Sequence, residues 1–288
     1  MNWAAAVNSL NQIPRGPEPA ATKTNTGLGT IGVWVNGMAI FNAADGASYR
    51  NASADDAGGG LVAANAISRS SASLEGGPVT PGSLVTAFAQ FEAKLAASTE
   101  AAPTANWPTT LGGATVTVVD STGAALPAEI SYASTRQVNY RVPQAAATGL
   151  ASVRHTVAGV TVMSALNIVS VYPGLFKQNI ENLAAAQVAR IRAGNTIYEN
   201  VTGPITIGPA SEQATLILYG TGLNSASSVT ATIRGGAVPV AYAGPQGTFA
   251  GLDQINIPLP ASLAGSGKVD IVVTAAQKPS NPVQLTIQ

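Results

Sequence analysis

Few residues in this chain could do chemistry, and the shortage of histidine limits what they could do together. His155 is the single histidine among 288 residues, and it lies in the strand-like run Ser152–Val157. A serine hydrolase needs such a base oriented by a third group, and nothing in the sequence places a carboxylate or a nucleophile beside it. We therefore expect a structural or surface role for His155, with no catalytic residues and no cofactor.

Two further groups of residues resemble ligand-binding motifs only in part. Asp45, Asp55 and Asp56 lie in an Ala- and Gly-rich stretch, and carboxylate oxygens are ligands for Ca²⁺. Their spacing fits no calcium loop, so a solvated loop is the simpler interpretation, and calcium binding is left open. Gly220 and Gly222 follow a strand-like run but open no helix, which favours a bulge or turn over a phosphate loop.

Aromatic side chains offer one more kind of chemistry, because they can stack on sugars. Trp3, Trp34 and Trp107 are scattered along the chain, a distribution more typical of core or inter-domain packing. A sugar-binding module would use Trp107 or Tyr242 on its face. The chain has no cysteine, which excludes disulfides, thiolate-bound metals and thiol catalysis.

The charge content restricts the partners. Only 10% of residues are charged, with 14 basic and 14 acidic side chains, while 46% are hydrophobic. A balanced, sparse charge does not attract phosphates, so nucleic acid is not expected as a partner, and it opposes self-association only weakly. No apolar run approaches the length of a membrane helix, and the opening residues lack the regions of a signal peptide.

The sequence pattern of the whole chain predicts an all-β protein. From Ala214 to Gln288 it consists of short β-rich runs closed by Gly, Pro, Asn or Ser, a pattern typical of sandwiches. Asn36-Gly37 predicts a hairpin over Ile31–Asn42, and Gly194 a second one over Val188–Tyr198. Further strands are predicted at Ser83–Phe88, Ala114–Val119, Ala128–Ala133, Gln137–Val142, Ala151–Val157 and Val160–Val171.

Three other segments have no clear strand pattern. Leu61–Ile67 could form a short helix, and Phe88–Ser98 has a helix-like composition that periodicity leaves ambiguous. Tyr172–Phe176 is expected to form a structured corner between the two halves of the chain.

An internal repeat predicts two related domains. Residues 137–143 (QVNYRVP) match residues 254–260 (QINIPLP), and Gly112-Gly113-Ala114 matches Gly235-Gly236-Ala237. Two collinear matches at similar spacing indicate duplication rather than a long solenoid.

The same motifs carry a resemblance to a known family. They include GGPVTPGSLVTAF, LGGATVTVVDSTG, QVNYRVP, VYPGLF, ITIGPASEQATLILYGTGL and KVDIVVTAAQKPSNPVQLTIQ. The run Gly77 to Gln288 resembles the uncharacterised C-terminal domain found on many large acidobacterial secreted proteins, and each half is similar to an IPT/TIG-like immunoglobulin sandwich. The resemblance implies an extracellular pair of sandwiches, and it brings no catalytic residues.

A weaker resemblance lies upstream. Residues 28–50 (LGTIGVWVNGMAIFNAADGASYR) resemble the start of the YHYH-type domain. The Tyr-His-Tyr-His signature of that domain is missing, so none of its chemistry is carried over.

Together these observations predict two Ig-like antiparallel β-sandwiches in tandem, at residues 77–172 and 173–288, after an N-terminal segment at 1–76 that contains a hairpin. The expected function is that of a non-enzymatic structural or adhesive protein, extracellular or on the cell surface. Self-assembly into a homo-oligomer or filament would use residues 1–42, which could instead fold back on their own first sandwich. The alternative is a carbohydrate-binding or accessory module of a secreted enzyme, with a cell-surface glycan as partner.

Overall fold

The computed structural model describes residues 30–33, 39–41, 66–74, 76–90, 93–103, 106–178, 182–192, 194–209, 212–224 and 226–288. The chain divides into two compact units, Met1–Val62 and Ala63–Gln288. Apart from one 3₁₀ turn at Ala261–Leu263, the described ranges contain no helix. None of the described residues forms a helix with the length and apolar character needed to span a bilayer.

The first unit contains the hairpin predicted around Asn36-Gly37. Strands β1 (Thr30–Val33) and β2 (Ala39–Phe41) pair antiparallel, which confirms that prediction. The turn residues themselves lie outside the described residues.

The first ten strands of the second unit form one sandwich. They are β3 (Ala66–Ser70), β4 (Leu84–Ala89), β5 (Glu100–Ala101), β6 (Thr110–Leu111), β7 (Ala114–Val119), β8 (Ala125–Pro127), β9 (Glu129–Ala133), β10 (Gln137–Arg141), β11 (Gly149–Val157) and β12 (Val160–Ile168). One sheet has the order β3-β4-β10-β9-β5, and the other has the order β12-β11-β7-β6 with β8 also on β7. Successive side chains of a strand point to opposite faces of its sheet. Every second residue therefore faces the other sheet, and these residues form one apolar core.

The remaining strands form a second sandwich. They are β13 (Gly174–Leu175), β14 (Ala186–Arg192), β15 (Asn195–Asn200), β16 (Gln213–Thr221), β17 (Val229–Ile233), β18 (Gly236–Val238), β19 (Tyr242–Pro245), β20 (Asp253–Pro258), β21 (Gly267–Ala275), β22 (Lys278–Pro279) and β23 (Val283–Ile287). One sheet has the order β15-β14-β16-β20-β19 with β13 on β16, and the other joins β18, β17, β21, β22 and β23. This sandwich has a separate apolar core.

The two sandwiches share one topology. In the first, the chain of pairings β3-β4-β10-β9 faces β12-β11-β7-β8; in the second, β14-β16-β20-β19 faces β23-β21-β17-β18 in the same sequential order. These are the ABED and GFC arrangements of an immunoglobulin fold, with one extra strand beside C. The prediction of two Ig-like sandwiches in tandem is confirmed. Strand β3 lies before the predicted boundary at Gly77, and the boundaries themselves stay a prediction.

Of the two motif matches that predicted the repeat, one joins structurally equivalent segments and the other does not. QVNYRVP and QINIPLP form the equivalent strands β10 and β20. Gly112-Gly113, however, precedes β7, whereas Gly235 follows β17, the strand equivalent to β7. The two glycine pairs therefore lie at non-equivalent positions. Gly112, Gly113 and Gly235 each have the positive φ that tight turns require, whereas Gly236 begins strand β18.

Neither of the two segments that were open to a helical interpretation is helical where the structure describes it. Ala66 and Ile67 begin strand β3, and residues 61–65 lie outside the described residues. Phe88 belongs to β4, and Ala93–Ser98 crosses the sandwich without regular structure. In that crossing the Leu95 amide donates to the Thr135 carbonyl at 3.0 Å and the Ala97 amide to the Gly112 carbonyl at 2.8 Å. These long-range bonds replace those a helix would make, so tertiary contacts override local propensity.

Several strand limits differ slightly from the predictions. The hairpin predicted around Gly194 is confirmed by the pairing of β14 with β15, and the corner at Tyr172–Phe176 contains β13, which pairs with β16. The strand predicted at Ala128–Ala133 is preceded by a separate short strand, β8, and β12 ends at Ile168 rather than Val171.

Candidate functional site

The histidine lies in the core of the first sandwich. His155 is fully buried, and its Nε2 is 3.0 Å from the Ser164 hydroxyl. Its Nδ1 has no hydrogen-bond partner, so no carboxylate orients the ring. Burial lowers the pKa of His155 to about 4, because desolvation penalises the charged form. The imidazole is therefore neutral at pH 7.

A buried polar cluster surrounds this ring. Ser68 Oγ is 2.7 Å from Ser164 Oγ and accepts a 3.0 Å hydrogen bond from the Tyr140 hydroxyl. The Tyr140 ring meets the His155 ring edge-on, with centroids 5.9 Å apart, and burial raises the pKa of Tyr140. The cluster joins β3 and β10 of one sheet to β11 and β12 of the other. These hydrogen bonds and the ring contact connect the two sheets inside the sandwich, which agrees with the structural role expected for His155.

Most of the other residues singled out from the sequence lie in segments that the structure does not describe. Asp45, Asp55, Asp56, Trp3 and Trp34 lie outside the described residues. Within the part of the chain that the structure describes, no three His, Cys, Asp or Glu side chains are grouped to hold a metal ion.

The glycines at 220 and 222 permit a close approach of backbones. A Cβ on Gly220 would lie 2.5 Å from the Gly174 carbonyl oxygen, and one on Gly222 would lie 2.2 Å from the Tyr172 carbonyl oxygen. Gly222 also has φ +91°. These glycines let the segment that connects the sandwiches pack on the end of β16, which is a structural role and not a phosphate site.

The two sandwiches meet at a buried hydroxyl. Thr221, at the end of β16, is 1% exposed. Its Oγ1 accepts a hydrogen bond from the Leu84 amide of the first sandwich at 3.0 Å and donates to the Gly251 carbonyl of the second at 2.8 Å. A Cβ on Gly251 would lie 2.7 Å from the Gly82 carbonyl oxygen, so the two backbones are in direct contact here.

Trp107 lies beside this junction. It lines a cleft of about 450 Å³ together with the loop around Phe249 and the ion pair of Arg141 with Glu129, whose N–O distance is 2.5 Å. Asp253 also lines the cleft; burial raises the pKa of its carboxyl group, and its Oδ2 accepts the Leu223 amide at 2.8 Å. The charged groups of the cleft are therefore already paired or hydrogen-bonded within the protein.

Tyr242 lies elsewhere, on the outer face of the sheet β15-β14-β16-β20-β19. Cross-strand register puts Tyr242, Asn256, Ile217, Gln187 and Asn200 in one row across five strands. Directly opposite residues in a sheet share a face. The neighbouring rows add Tyr219 with Gln254, and Tyr198 with Ala189 and Thr215.

We call this surface the tyrosine–amide face and define it by Gln187, Tyr198, Tyr219, Tyr242, Gln254 and Asn256. The Tyr219 hydroxyl donates to Gln187 Oε1 at 2.9 Å, and Gln254 Nε2 donates to Asn256 Oδ1 at 2.9 Å. Tyr198 is 62% exposed and Tyr242 is 42% exposed. A concavity of about 590 Å³ covers much of this face.

The ring of Tyr242 lies along its own strand. Its hydroxyl donates to the Pro245 carbonyl at 2.6 Å, and a Cβ on Gly244 would lie 3.2 Å from that hydroxyl oxygen. Gly244 leaves the room in which the ring lies over β19. An aromatic ring held in this way presents a flat apolar surface beside the amides.

Sequence reasoning named Tyr242 but missed the rest of this face. The available signal was the repeated Gln-x-Asn, which the structure shows to be a pair of outward side chains with the same internal hydrogen bond in each sandwich. Gln137 Nε2 donates to Asn139 Oδ1 at 2.8 Å in the first sandwich, as Gln254 does to Asn256 in the second.

Comparison with known proteins adds little. No protein-family model matches the chain, and no curated protein matches it. Among solved structures it is similar to the titin Ig tandem domains A164-A165, at 9% identity over 73% of this chain and 89% of that chain, with a TM-score of 0.21. At this level the likeness carries no argument, and the immunoglobulin topology rests on the strand pairings described above.

Proposed function

We propose that this protein is a non-enzymatic structural and adhesive module of the cell surface, in which the tandem sandwiches form a stiff spacer. The observation that carries the proposal is the junction, where the buried Thr221 hydroxyl bonds the Leu84 amide of one sandwich and the Gly251 carbonyl of the other. A buried hydroxyl that satisfies two backbone groups resists bending, because opening the junction leaves both unpaired.

Other observations agree with a structural role. The single histidine is fully buried in a core cluster, where a substrate in solvent does not reach it. The extracellular setting rests on the resemblance to secreted acidobacterial domains and on the low charge of the chain. That family resemblance, the cell-surface location and the absence of a nucleic-acid partner are all parts of the proposal.

The junction is tested by replacing Thr221 with valine, which keeps the shape and removes the hydroxyl. We expect Thr221→Val to lower the free energy of unfolding by about 1–3 kcal/mol, the usual cost of a buried unsatisfied group. Thr156→Val, at an exposed hydroxyl pair with Thr161, is the matched control and should change it by less than about 0.5 kcal/mol.

Stiffness is measured directly with two spin labels. The chain has no cysteine, so Val160→Cys and Lys278→Cys place one unique label on each sandwich. We expect a narrow distance distribution by double electron–electron resonance, and a broader one after Thr221→Val. A broad distribution in the otherwise unchanged protein would contradict the spacer proposal.

Head-to-tail assembly belongs to the same proposal. Edge strands such as β15 have unpaired backbone groups that accept an added strand, and residues 1–42 of a neighbouring copy are the proposed donor. A contact of this kind that does not close produces a filament. Light scattering and negative-stain microscopy of the full chain and of a chain without residues 1–42 test it. A full-length chain that stays monomeric at high concentration would rule out the filament.

A further inference from the structure

We propose that the tyrosine–amide face binds a neutral, extended oligosaccharide. The face lies on the outer sheet of the second sandwich and includes none of the residues of the Thr221 bridge, so this inference goes beyond the spacer role and does not depend on it. The partner is identified by three properties of the face, which are its charge, its donors and acceptors, and its width.

The first property is the lack of charge. The outward positions of the five strands hold Gln187, Ala189, Ile191, Thr196, Tyr198, Asn200, Gln213, Thr215, Ile217, Tyr219, Tyr242, Gly244, Gln254, Asn256 and Pro258. None of these described positions is an acid or a base. A charged ligand would lose hydration here without meeting an opposite charge, so the face is complementary to an uncharged partner.

The second property is the pairing of amides with aromatic rings. Each Gln or Asn side chain has both donors and acceptors, which suits hydroxyl groups that also do both. Gln187, Gln254 and Asn256 each make one or two internal hydrogen bonds and keep further capacity. The rings of Tyr198 and Tyr242 add apolar surface on which the C–H face of a sugar can stack.

The third property is the width. Tyr198 lies on β15 at one edge of the sheet and Tyr242 on β19 at the other. Four strand spacings separate them, roughly 19 Å at the usual spacing between paired strands. A single sugar ring cannot touch both, so the ligand must be a chain of several units lying across the strands.

An ordinary solvated sheet face does not account for this composition. Edge strands commonly carry charged side chains that prevent pairing with another chain. The outward positions of the edge strand β15 are instead the uncharged Thr196, Tyr198 and Asn200. The equivalent face of the first sandwich carries Arg69 and Glu129, so the lack of charge is not a general property of this position in the fold.

The test uses the full-length chain and named probes. Affinity electrophoresis is run in gels that contain a soluble β-glucan, xylan, mannan or galactan, with polygalacturonate as the anionic comparison. Calorimetry with the matching neutral hexasaccharide and monosaccharide follows. We expect at least one neutral polysaccharide to retard the protein, its hexasaccharide to bind, and its monosaccharide to bind far more weakly.

Variants assign the binding to this face. Tyr198→Ala and Tyr242→Ala are each expected to weaken hexasaccharide binding about tenfold through loss of stacking. Asn256→Asp keeps the shape and adds a charge, with a similar loss. Tyr132→Ala is the matched control, because Tyr132 stands opposite Asn139 as Tyr242 stands opposite Asn256; it should leave binding unchanged.

Several results would overturn the proposal. They are retardation by none of the neutral probes, retardation by polygalacturonate alone, equal loss in Tyr132→Ala, and retention of binding in Tyr198→Ala and Tyr242→Ala. Thermal unfolding of each variant verifies that it is folded, and the exposed Tyr198 provides the substitution that disturbs the fold least. The spin-label result is independent, so either proposal can fail without the other.

Discussion

The outer faces of the two equivalent sheets share one arrangement of side chains around a Gln-x-Asn motif, which we call the framework. They differ in the side chains that surround it. Both have Gln-x-Asn with the same internal hydrogen bond, an aromatic side chain opposite the glutamine and a tyrosine opposite the asparagine. In the first sandwich these are Phe88 and Tyr132, and in the second they are Tyr219 and Tyr242. These shared residues lie at equivalent positions on β10 and β20 and on the strands that pair with them.

The differences are concentrated around that framework. In the first sandwich Arg69 occupies the position of Gln187 and donates to the Leu74 carbonyl at 2.9 Å, while Thr86 is buried beside Ser71. In place of Gly244, Ser134 bonds the Gln137 carbonyl. The first face is therefore closed by its own contacts. In the second, Gly244 leaves the room in which the Tyr242 ring lies over β19, and the extra strand β15 adds the exposed Tyr198, so the second face presents two exposed tyrosine rings.

The largest expected effect tests whether the framework is equally well packed in both sandwiches. Val138 and Ile255 are the equivalent buried residues between Gln and Asn, both at most 1% exposed. Ile255→Ala should lower the free energy of unfolding by about 2–5 kcal/mol, and Val138→Ala by about 1 kcal/mol less, since one methylene fewer is removed. Urea unfolding measures both. A Val138 variant that costs more would show that the first core is the less able to relax.

The next effect should appear in the first sandwich alone, because the second has no histidine. The pKa of His155 is about 4 when folded, below its ordinary unfolded value. The unfolded chain therefore binds the proton first, and stability falls as the pH drops from about 6.5 to about 4, by up to about 3 kcal/mol. Above pH 6.5 this contribution is constant.

His155→Leu should flatten the unfolding free energy across that pH window, as measured by urea titrations at several pH values. Hydrogen exchange then shows in which sandwich the loss occurs. An unchanged slope in the variant would mean that other groups are responsible. Asp120 does not interfere, because hydrogen bonds from the Thr122 hydroxyl and the Ala147 amide hold its pKa at about 2, so its effect on stability lies below about pH 4.

The smallest expected effect distinguishes the contribution of the glutamines to stability from their contribution to oligosaccharide binding. Gln137→Ala and Gln254→Ala each remove one half-buried side-chain hydrogen bond, and both should lower stability by less than about 1.5 kcal/mol. Only Gln254→Ala should weaken hexasaccharide binding. Equal stability losses with unequal binding losses would sharpen the comparison, whereas equal binding losses would show that both faces bind.

Much of the fold could be predicted from local pattern. Alternation in Gln137–Val142 predicted one strand and the Asn36-Gly37 dipeptide predicted a hairpin, since side-chain period and turn preference are set within a few residues. The segment Ala93–Ser98 could not be predicted, because its backbone bonds go to Thr135 and Gly112. Nothing local encodes such distant partners.

The candidate site was harder to predict from the sequence than the fold, for the same reason. Tyr198, Gln187, Ile217 and Asn256 fall on one face only because β14, β15, β16 and β20 pair in a particular register. A slip of one residue would turn each side chain to the opposite face. Tyr242 could be singled out as an aromatic residue, but its neighbours could be found only from the pairing.

The last strand has a mechanical consequence. Strand β23 pairs with β21 on one side, while on the other Gln284 and Thr286 bond residues 182, 184 and 205 with N–O distances of 2.8 to 3.0 Å. A pull along β23 from Gln288 therefore loads two rows of hydrogen bonds together in shear, and they must break in concert, not one after another. Under tension we expect this strand to act as a clamp, so that force applied at Gln288 meets its main resistance there before it reaches the Thr221 bridge.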